Sequence, residues 1–333
     1  MTSLMTPTCE LLGISRPIVQ APVSAVPEVV AGVSNAGGLG IIPGTWLGKH
    51  GTRETLSAVR DLTNRPIGAN YVISLMGEDE HASLDVMLDA GVPFISTFWG
   101  DPAPLVERIH GAGALHFHTV GSAEEARRVV DAGVDVVVAQ GVEAGGHVWG
   151  KVSTMVLVPA VVDAVPDTHV IAAGGIADGR GLAAVLTLGA GAAWVGTRFV
   201  MSEENAMHPE HQVQMLAARE TDAFYSTLFD LGWPDAPHRA LMNDTVKMWL
   251  EADQPPSGHR PGEGDVVAHQ ANGDPIPRYS TEDPNGTISG DVTAMCMYAG
   301  QGIGVVNDVK PVATIMDEMM EVAGAVLSKL GRG

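Results

Sequence analysis

Residues 140–150, QGVEAGGHVWG, hold the most concentrated set of groups in the chain that could do chemistry. His147 is the one side chain here that titrates near neutral pH, so it could move a proton. Gln140 and Glu143 add hydrogen-bonding capacity to the same loop. Gly145 and Gly146 lack Cβ atoms, so the chain can turn sharply and a ligand can approach the main chain. The run before the loop, 134–139 (VDVVVA), is short and β-branched and reads as a buried strand ending at the loop. The plainer reading of His147 is a hydrogen bond to a main-chain carbonyl that shapes the loop, with Glu143 tying the loop to nearby N–H groups.

Two other loops have unusual sequence, AAGGIADGRG at 172–181 and WVGTRF at 194–199. Glycine turns ahead of helices can aim several N–H groups at an anion. Gly174 and Gly175, with Gly196 and Thr197 on the neighbouring strand, therefore form a candidate phosphate site, against the alternative that the glycine pair only makes a tight turn. No lysine ends a predicted strand; the five are Lys49, Lys151, Lys247, Lys310 and Lys329. Schiff-base chemistry is thus unsupported. His116 and His118 lie two apart on one strand face and could form a metal pair, but such a pair is more often hydrogen-bonded structure or pocket lining. No metal is expected. His208 and His211 read as surface or hinge residues. A phosphate site without catalytic lysine or metal points to a bound cofactor that does the chemistry.

The elements that must position these loops alternate along the chain. Strands are predicted at 17–21, 39–42, 66–72, 94–98, 114–119, 134–139, 170–173 and 192–195. Helices follow at 26–35, 54–62, 82–89, 103–110, 122–131, 156–164 and 181–188. Parallel strands joined by right-handed crossovers are implied, and eight such units close a TIM (β/α)8 barrel. An open doubly wound sheet is the competitor, but no G-x-G-x-x-G opens the first helix. The barrel is assigned to residues 1–219. Residues 220–295 are rich in proline and glycine and read as a cap subdomain, with a helix at 245–252 and a strand at 265–269. Residues 296–333 form a C-terminal segment whose helix, 311–330, packs back on the barrel.

The 333 residues carry a formal net charge of −20, which disfavours nucleic acid and anionic membranes as partners. Cys9 and Cys296 are too few and too far apart for a disulfide framework and suit a reducing cytoplasm. The N-terminus lacks a signal-peptide pattern, and no apolar run reaches the ~20 residues that span a bilayer. A soluble cytoplasmic protein is expected.

The chain resembles the nitronate monooxygenases, formerly called 2-nitropropane dioxygenases. The resemblance is carried by APV at 21–23, GAN at 68–70, AQGVEAGGHVWG at 139–150, AAGGIADGRG at 172–181 and GTRF at 196–199. It extends through LGWPDAPHRAL at 231–241 and YAGQGIG at 298–304, so it covers nearly the whole chain. Type II enoyl-acyl-carrier-protein reductases share EAGGH and GTRF, so those two motifs do not decide the reaction. The resemblance implies a TIM barrel with non-covalent FMN. Ala21, Pro22 and Val23 would line the cofactor, and Asn70 and Gln140 would hydrogen-bond the flavin or its ribityl chain. Gly145 would lie against the cofactor, while Gly174, Gly175, Trp194, Val195, Gly196 and Thr197 would hold its phosphate. His147 would take the α-proton of a nitroalkane or position the nitronate, and oxygen chemistry would give a carbonyl compound and nitrite. Val23 stands where many relatives have methionine. Tyr298 and Gln301 would reach the flavin edge or pack the cap. An NAD(P)H-dependent FMN reductase acting on an enoyl thioester or quinone is the nearest alternative, and a non-redox phosphate-binding lyase or sensor the alternative of another class. Oligomeric state stays open, with a homodimer as one candidate.

Overall fold

The computed structural model describes residues 4–331; residues 1–3 and 332–333 of the expected first and last segments lie outside the described residues. A short helix α1 (Pro7–Leu12) precedes the barrel strands β1 (Ile18–Gln20), β2 (Gly40–Pro43), β3 (Ile67–Val72), β4 (Phe94–Phe98), β5 (Leu115–Val120) and β6 (Val136–Gln140). A two-residue strand β7 (Gly146–His147) interrupts the series before β8 (His169–Ala173) and β9 (Ala192–Val195). Between them run α2 (Pro27–Asn35), α3 (Gly48–Leu62), α4 (Glu78–Asp89), α5 (Ala103–Gly111), α6 (Ala123–Asp131), α7 (Thr154–Ala164) and α8 (Gly179–Thr187). All eight long strands are parallel, in the order β1-β9-β8-β6-β5-β4-β3-β2. A parallel bridge between Val19 and Leu39 joins the two outer members, and Gln20 N donates to Leu39 O at 2.8 Å. The architecture is a TIM barrel.

Alternation along the strands sorts side chains into two layers. Ile41, Phe94, Phe117, Val138 and Ile171 fill the barrel interior. Their neighbours in sequence, such as Ile42, Ile95 and Val137, pack under the surrounding helices. His116 and His118 flank Phe117 and so lie on its opposite face, outside the interior. Thr97 Oγ1 sits 2.8 Å from both His116 Nε2 and His118 Nδ1, so its hydroxyl can donate to one ring and accept from the other. The pair is hydrogen-bonded structure, and no cluster among the described residues could hold a metal ion.

Most boundaries follow the expected ones, and the departures have local causes. Gly48 and Gly51 concealed the first turns of α3. Asp178 accepts from Arg180 N and Gly181 N at 2.9 and 3.0 Å, which starts α8 at Gly179 rather than 181. After β9 come α9 (Thr197–Val200), α10 (Pro209–Ala217), the hairpin β10 (Ala223–Ser226) and β11 (His238–Leu241), and α11 (Asp244–Glu251). A small sheet of β12 (Val266–His269), β13 (Pro275–Pro277) and β14 (Ser289–Gly290) completes this region. His208 Nδ1 accepts from Glu210 N at the start of α10. His211 departs from its expected surface position: it is buried, with Nδ1 3.4 Å from Pro284 O. It occupies the inward face of α10, a placement that its two-residue contact across 73 positions of sequence decides.

The last helix, α12 (Val312–Leu330), packs on α2 and α8. A Cβ on Gly179 would lie 2.4 Å from Met319 O, so glycine is required where these two helices touch. No helix among the described residues is long and apolar enough to cross a membrane.

Burial has an electrostatic consequence. His116, His118 and His211 are at most 1% exposed, and desolvation pushes them down to about 3, 4 and 4 respectively. Unfolding restores each to ~6.5, so below that value the unfolded chain binds more protons than the folded one. Their stabilising effect is complete above pH ~6.5 and declines as pH falls toward the folded values, by about 2 kcal/mol per histidine at pH 5. The thermal midpoint should therefore drop steeply between pH 7.5 and 5, and His211→Gln should lessen the slope. A midpoint that is level over that range would contradict the assignment.

Candidate active site

An irregular loop at a buried strand end has to pair its peptide groups with something. In the 140–150 loop, side chains do this. Gln140 Nε2 donates to His147 O at 3.1 Å and its Oε1 accepts from Trp149 N at 2.9 Å. Glu143 accepts from Thr154 N at 2.9 Å and from Thr154 Oγ1 at 3.0 Å, so it is the structural tie expected of it. Thr154 Oγ1 is also 3.0 Å from Gly174 O, which couples this loop to the one after β8. Arg239 donates from Nη2 to Val142 O at 2.8 Å and from Nη1 to Ala223 O at 2.8 Å. β11 pairs antiparallel with β7, setting His238 opposite His147 and Arg239 opposite Gly146. The segment of β11 thus holds the loop through strand pairing and Arg239.

His147 lies in a nest of rings. Trp233 stacks on it with centroids 3.9 Å apart at 26°. Tyr298 and His238 are each 5.6 Å away, and Trp99 meets it edge-on at 6.1 Å. Burial, and secondarily the neighbouring His238, push His147 down to about 3, so it is neutral at physiological pH. Its Nε2 is buried and has no hydrogen-bond partner. A buried polar atom left unpaired costs about 1–3 kcal/mol, which a ligand atom at hydrogen-bond distance would recover. Trp99 has φ 60, a left-handed conformation that costs a bulky residue on the order of 1–3 kcal/mol.

The expected cofactor residues gather at neighbouring strand ends. Ala21 N donates to Val195 O at 2.8 Å, and a Cβ on Gly196 would lie 3.3 Å from Val23 Cγ1. Pro22, between Ala21 and Val23, therefore stands on the same rim. β8 and β9 pair through Ala173 and Trp194, which brings the turn at Gly174 and Gly175 beside Gly196 and Thr197. Gly174 and Gly175 have φ 102 and 71; a Cβ on Gly174 would lie 2.8 Å from Gly141 O, whereas one on Gly175 would meet Glu143 Cβ and Cγ at 3.4 and 3.9 Å, so the room at this turn is at Gly175. Trp194 packs its ring in the barrel interior and can offer only main chain to a ligand. In the first turn of α8 the amides of Arg180 and Gly181 are already bonded to Asp178, so an anion here would rely on the glycine turn before it. Asn70 Nδ2 donates to Ser96 Oγ at 3.1 Å. Gly145 faces the tail: a Cβ there would lie 2.3 Å from Gly300 N. Gly300 N donates to Thr197 Oγ1 at 3.0 Å, and Gln301 N to Glu143 O at 2.9 Å. Tyr298 OH donates to Thr281 O at 3.0 Å, a cap-packing contact. The open glycine turn and the unpaired imidazole nitrogen fit a cofactor with an anionic tail and a reacting end near His147.

Trp99, Trp233, His238 and Arg239 were not singled out as site residues by sequence reasoning. Trp233, His238 and Arg239 lie within LGWPDAPHRAL, whose order along the chain says nothing of its return to β7. Trp99 carried one signal, an aromatic pair followed by glycine at a predicted strand end.

Comparison with known proteins places the chain among redox enzymes. The family model described as nitronate monooxygenase matches residues 5–321. The (3aS,4S,5R,7aS)-5-hydroxy-7a-methyl-1-oxo-octahydro-1H-indene-4-carboxyl-CoA dehydrogenase of Rhodococcus jostii is 36% identical over 248 residues, covering 74% of this chain and 68% of that protein. Among solved structures, FabK from Thermotoga maritima superposes with a TM-score of 0.80 at 31% identity, covering 98% of both chains. Nitroalkane oxidase from Streptomyces ansochromogenes gives 0.77 at 28% identity, covering 95% of this chain and 98% of that one.

Arg239 joins the loop to the cap without a carboxylate partner in hydrogen-bond range, so its removal should leave two buried carbonyls under-satisfied. Arg239→Gln is expected to destabilise the protein by about 1–3 kcal/mol. Hydrogen exchange should rise most at residues 141–149, and unchanged exchange there would show that Arg239 does not organise the loop.

Proposed function

The chain belongs to the nitronate monooxygenase family and is an oxidoreductase, and from that premise we propose that it uses FMN to oxidise alkyl nitronates, or the nitroalkanes that yield them, with oxygen to carbonyl compounds and nitrite. The observation that carries this reading is the unpaired, buried Nε2 of His147 in its ring-lined recess. Gly174, Gly175, Gly196 and Thr197 would hold the FMN phosphate, Ala21, Pro22 and Val23 would line the cofactor, and Asn70 and Gln140 would hydrogen-bond the flavin or its ribityl chain. FMN, when bound, would supply the electron acceptor and pass electrons to oxygen. Residues 1–219 would then be the cofactor barrel, and 220–295 and 296–333 the cap and tail that close it. A cytoplasmic enzyme acting on small molecules, with a homodimer as its assembly, is consistent with the acidic composition.

The low pKa of His147 constrains its part. A neutral imidazole is available at every physiological pH, but a conjugate acid near 3 is a weak proton holder, and each pKa unit is worth 1.36 kcal/mol. Removing a proton from a neutral nitroalkane creates the nitronate anion beside the imidazolium. Opposite charges at that distance favour the charged form, so the transfer itself raises the pKa. With a preformed nitronate no transfer is needed, and His147 only orients the anion.

A second reading, an NAD(P)H-dependent FMN reductase, is favoured by the FabK likeness over 98% of the chain. Membership of an oxidoreductase family sets aside the non-redox lyase or sensor. Anaerobic mixing of the flavin-loaded protein with propyl nitronate, NADH or NADPH separates the two. Bleaching of flavin absorbance by nitronate and not by either nicotinamide is expected; the converse would establish the reductase.

His147→Ala should keep its flavin absorbance and slow turnover of a neutral nitroalkane about 100-fold or more, with a smaller effect on preformed nitronate. In the wild type, kcat/KM for the neutral nitroalkane should stay level from pH 8 to pH 5, because His147 remains unprotonated until near pH 3. An acid limb at ~6.5, the ordinary histidine value, would show that the site leaves His147 unperturbed.

A further inference from the structure

Aromatic residues make up 5% of the chain, yet three of them, Trp99, Trp233 and Tyr298, pack around His147, and Phe98 and Trp149 extend the cluster through Trp99. Trp99 is the hub. Its ring centroid lies 4.9 Å from Trp149, 5.1 Å from Trp233 and 5.3 Å from Phe98, all edge to face. Its main chain is left-handed at φ 60 and is followed by Gly100 at φ 150, where a Cβ would lie 2.8 Å from Ile73 Cβ. Ser74 N donates to Trp99 O at 3.0 Å and helps to hold the turn. A bulky residue kept in this conformation beside a candidate active site points to what its side chain does there. Core filling accounts for only part of it: Phe98 and Trp99 pack against Val72, Trp233 and Ala236, yet Phe98, Trp99 and Trp149 stay half-buried.

The cluster is also rigid. Trp149 Nε1 donates to Glu125 Oε1 at 2.7 Å, and the other oxygen of Glu125 accepts from Gly121 N at 2.8 Å. That carboxylate is therefore engaged in holding Trp149 in place. Tryptophans set edge to face present both ring faces and ring edges, an apolar wall whose quadrupoles suit an offset or T-shaped contact with another ring. Trp233 continues the wall to the imidazole on which it stacks.

We propose that Trp99 is a specificity-determining residue, and that the substrate carries a flat, unsaturated ring on the carbon bearing the nitro group, seated against Trp99, Trp149 and Trp233. The inference rests on His147 marking the reacting carbon, as argued under the proposed function.

The test uses the purified full chain in its flavin-bound form and reads binding, so it stands whether or not nitronates are turned over. Acetophenone and 2-octanone are the ketones corresponding to 1-nitro-1-phenylethane and 2-nitrooctane; they have equal carbon number and differ in ring against chain. Their dissociation constants are measured by ligand-observed NMR for the wild type, Trp99→Gly and Trp99→Asn. Glycine and asparagine both tolerate the left-handed backbone, so either variant can report if the other folds poorly. Wild type is expected to bind acetophenone about five- to tenfold more tightly than 2-octanone, and the variants to lose most of that ratio. A merely structural role would weaken both ketones alike and leave the ratio intact. A wild-type ratio of one or below, or a ratio unchanged in the folded variants, overturns the proposal. Failure of nitronate to bleach the flavin, with the ketone ratio as expected, would instead count against the reaction and leave the ring site standing.

Discussion

The amide of Gln140 holds the two sides of the 140–150 loop together, and much of the site depends on that clamp. With Nε2 on His147 O and Oε1 on Trp149 N, it fixes the main chain on both sides of Val148. A glycine pair in an irregular loop would otherwise carry large conformational entropy. The carboxylate of Glu143 and the guanidinium of Arg239 complete the arrangement from below and above. Three polar side chains thus do for this loop what a ladder does for a strand, and His147 takes its orientation from them.

That orientation comes with desolvation. Stacking on Trp233 and proximity to His238 place the imidazole where its charged form is strongly disfavoured. The site is then neutral in its resting state and becomes hospitable to charge only when an anion is present to pair with the imidazolium. Such an arrangement discriminates in favour of substrates that bring or develop negative charge next to Nε2. The same aromatic surroundings that desolvate the imidazole also enclose it, so its electrostatics and its packing have one structural origin.

The tail explains glycines that a cofactor alone would not. Gly145 and Gly300 pack main chain on main chain, and Gly300 N reaches Thr197 Oγ1 on the turn after β9. Leu241 N donates to Met297 O at 2.8 Å, so the segment after residue 296 extends the β10, β11 ribbon before crossing the glycine turns. Barrel strands, the β10, β11 ribbon and the segment after residue 296 therefore meet at the loop that holds His147.

The eight βα units were legible in the chain because their information is local: β-branched runs of four to six residues, glycine at the ends, and helical periodicity between. The candidate catalytic histidine and the glycine turns at Gly174, Gly175, Gly196 and Thr197 were legible for the same reason, since each follows directly from a strand end. What lay beyond sequence reasoning depends on contacts between distant segments. The outward face of His116 and His118, the burial of His211 against Pro284, and the capture of the α8 amides by Asp178 are decided by which surfaces meet. So is the enclosure of His147, whose partners Trp99, Trp233, His238 and Tyr298 come from three separate stretches of chain. Local pattern determined that a histidine would stand at the end of a buried strand; only the tertiary structure decided that it would be stacked, desolvated and neutral, because desolvation is a property of everything packed around a group and of nothing in its own segment.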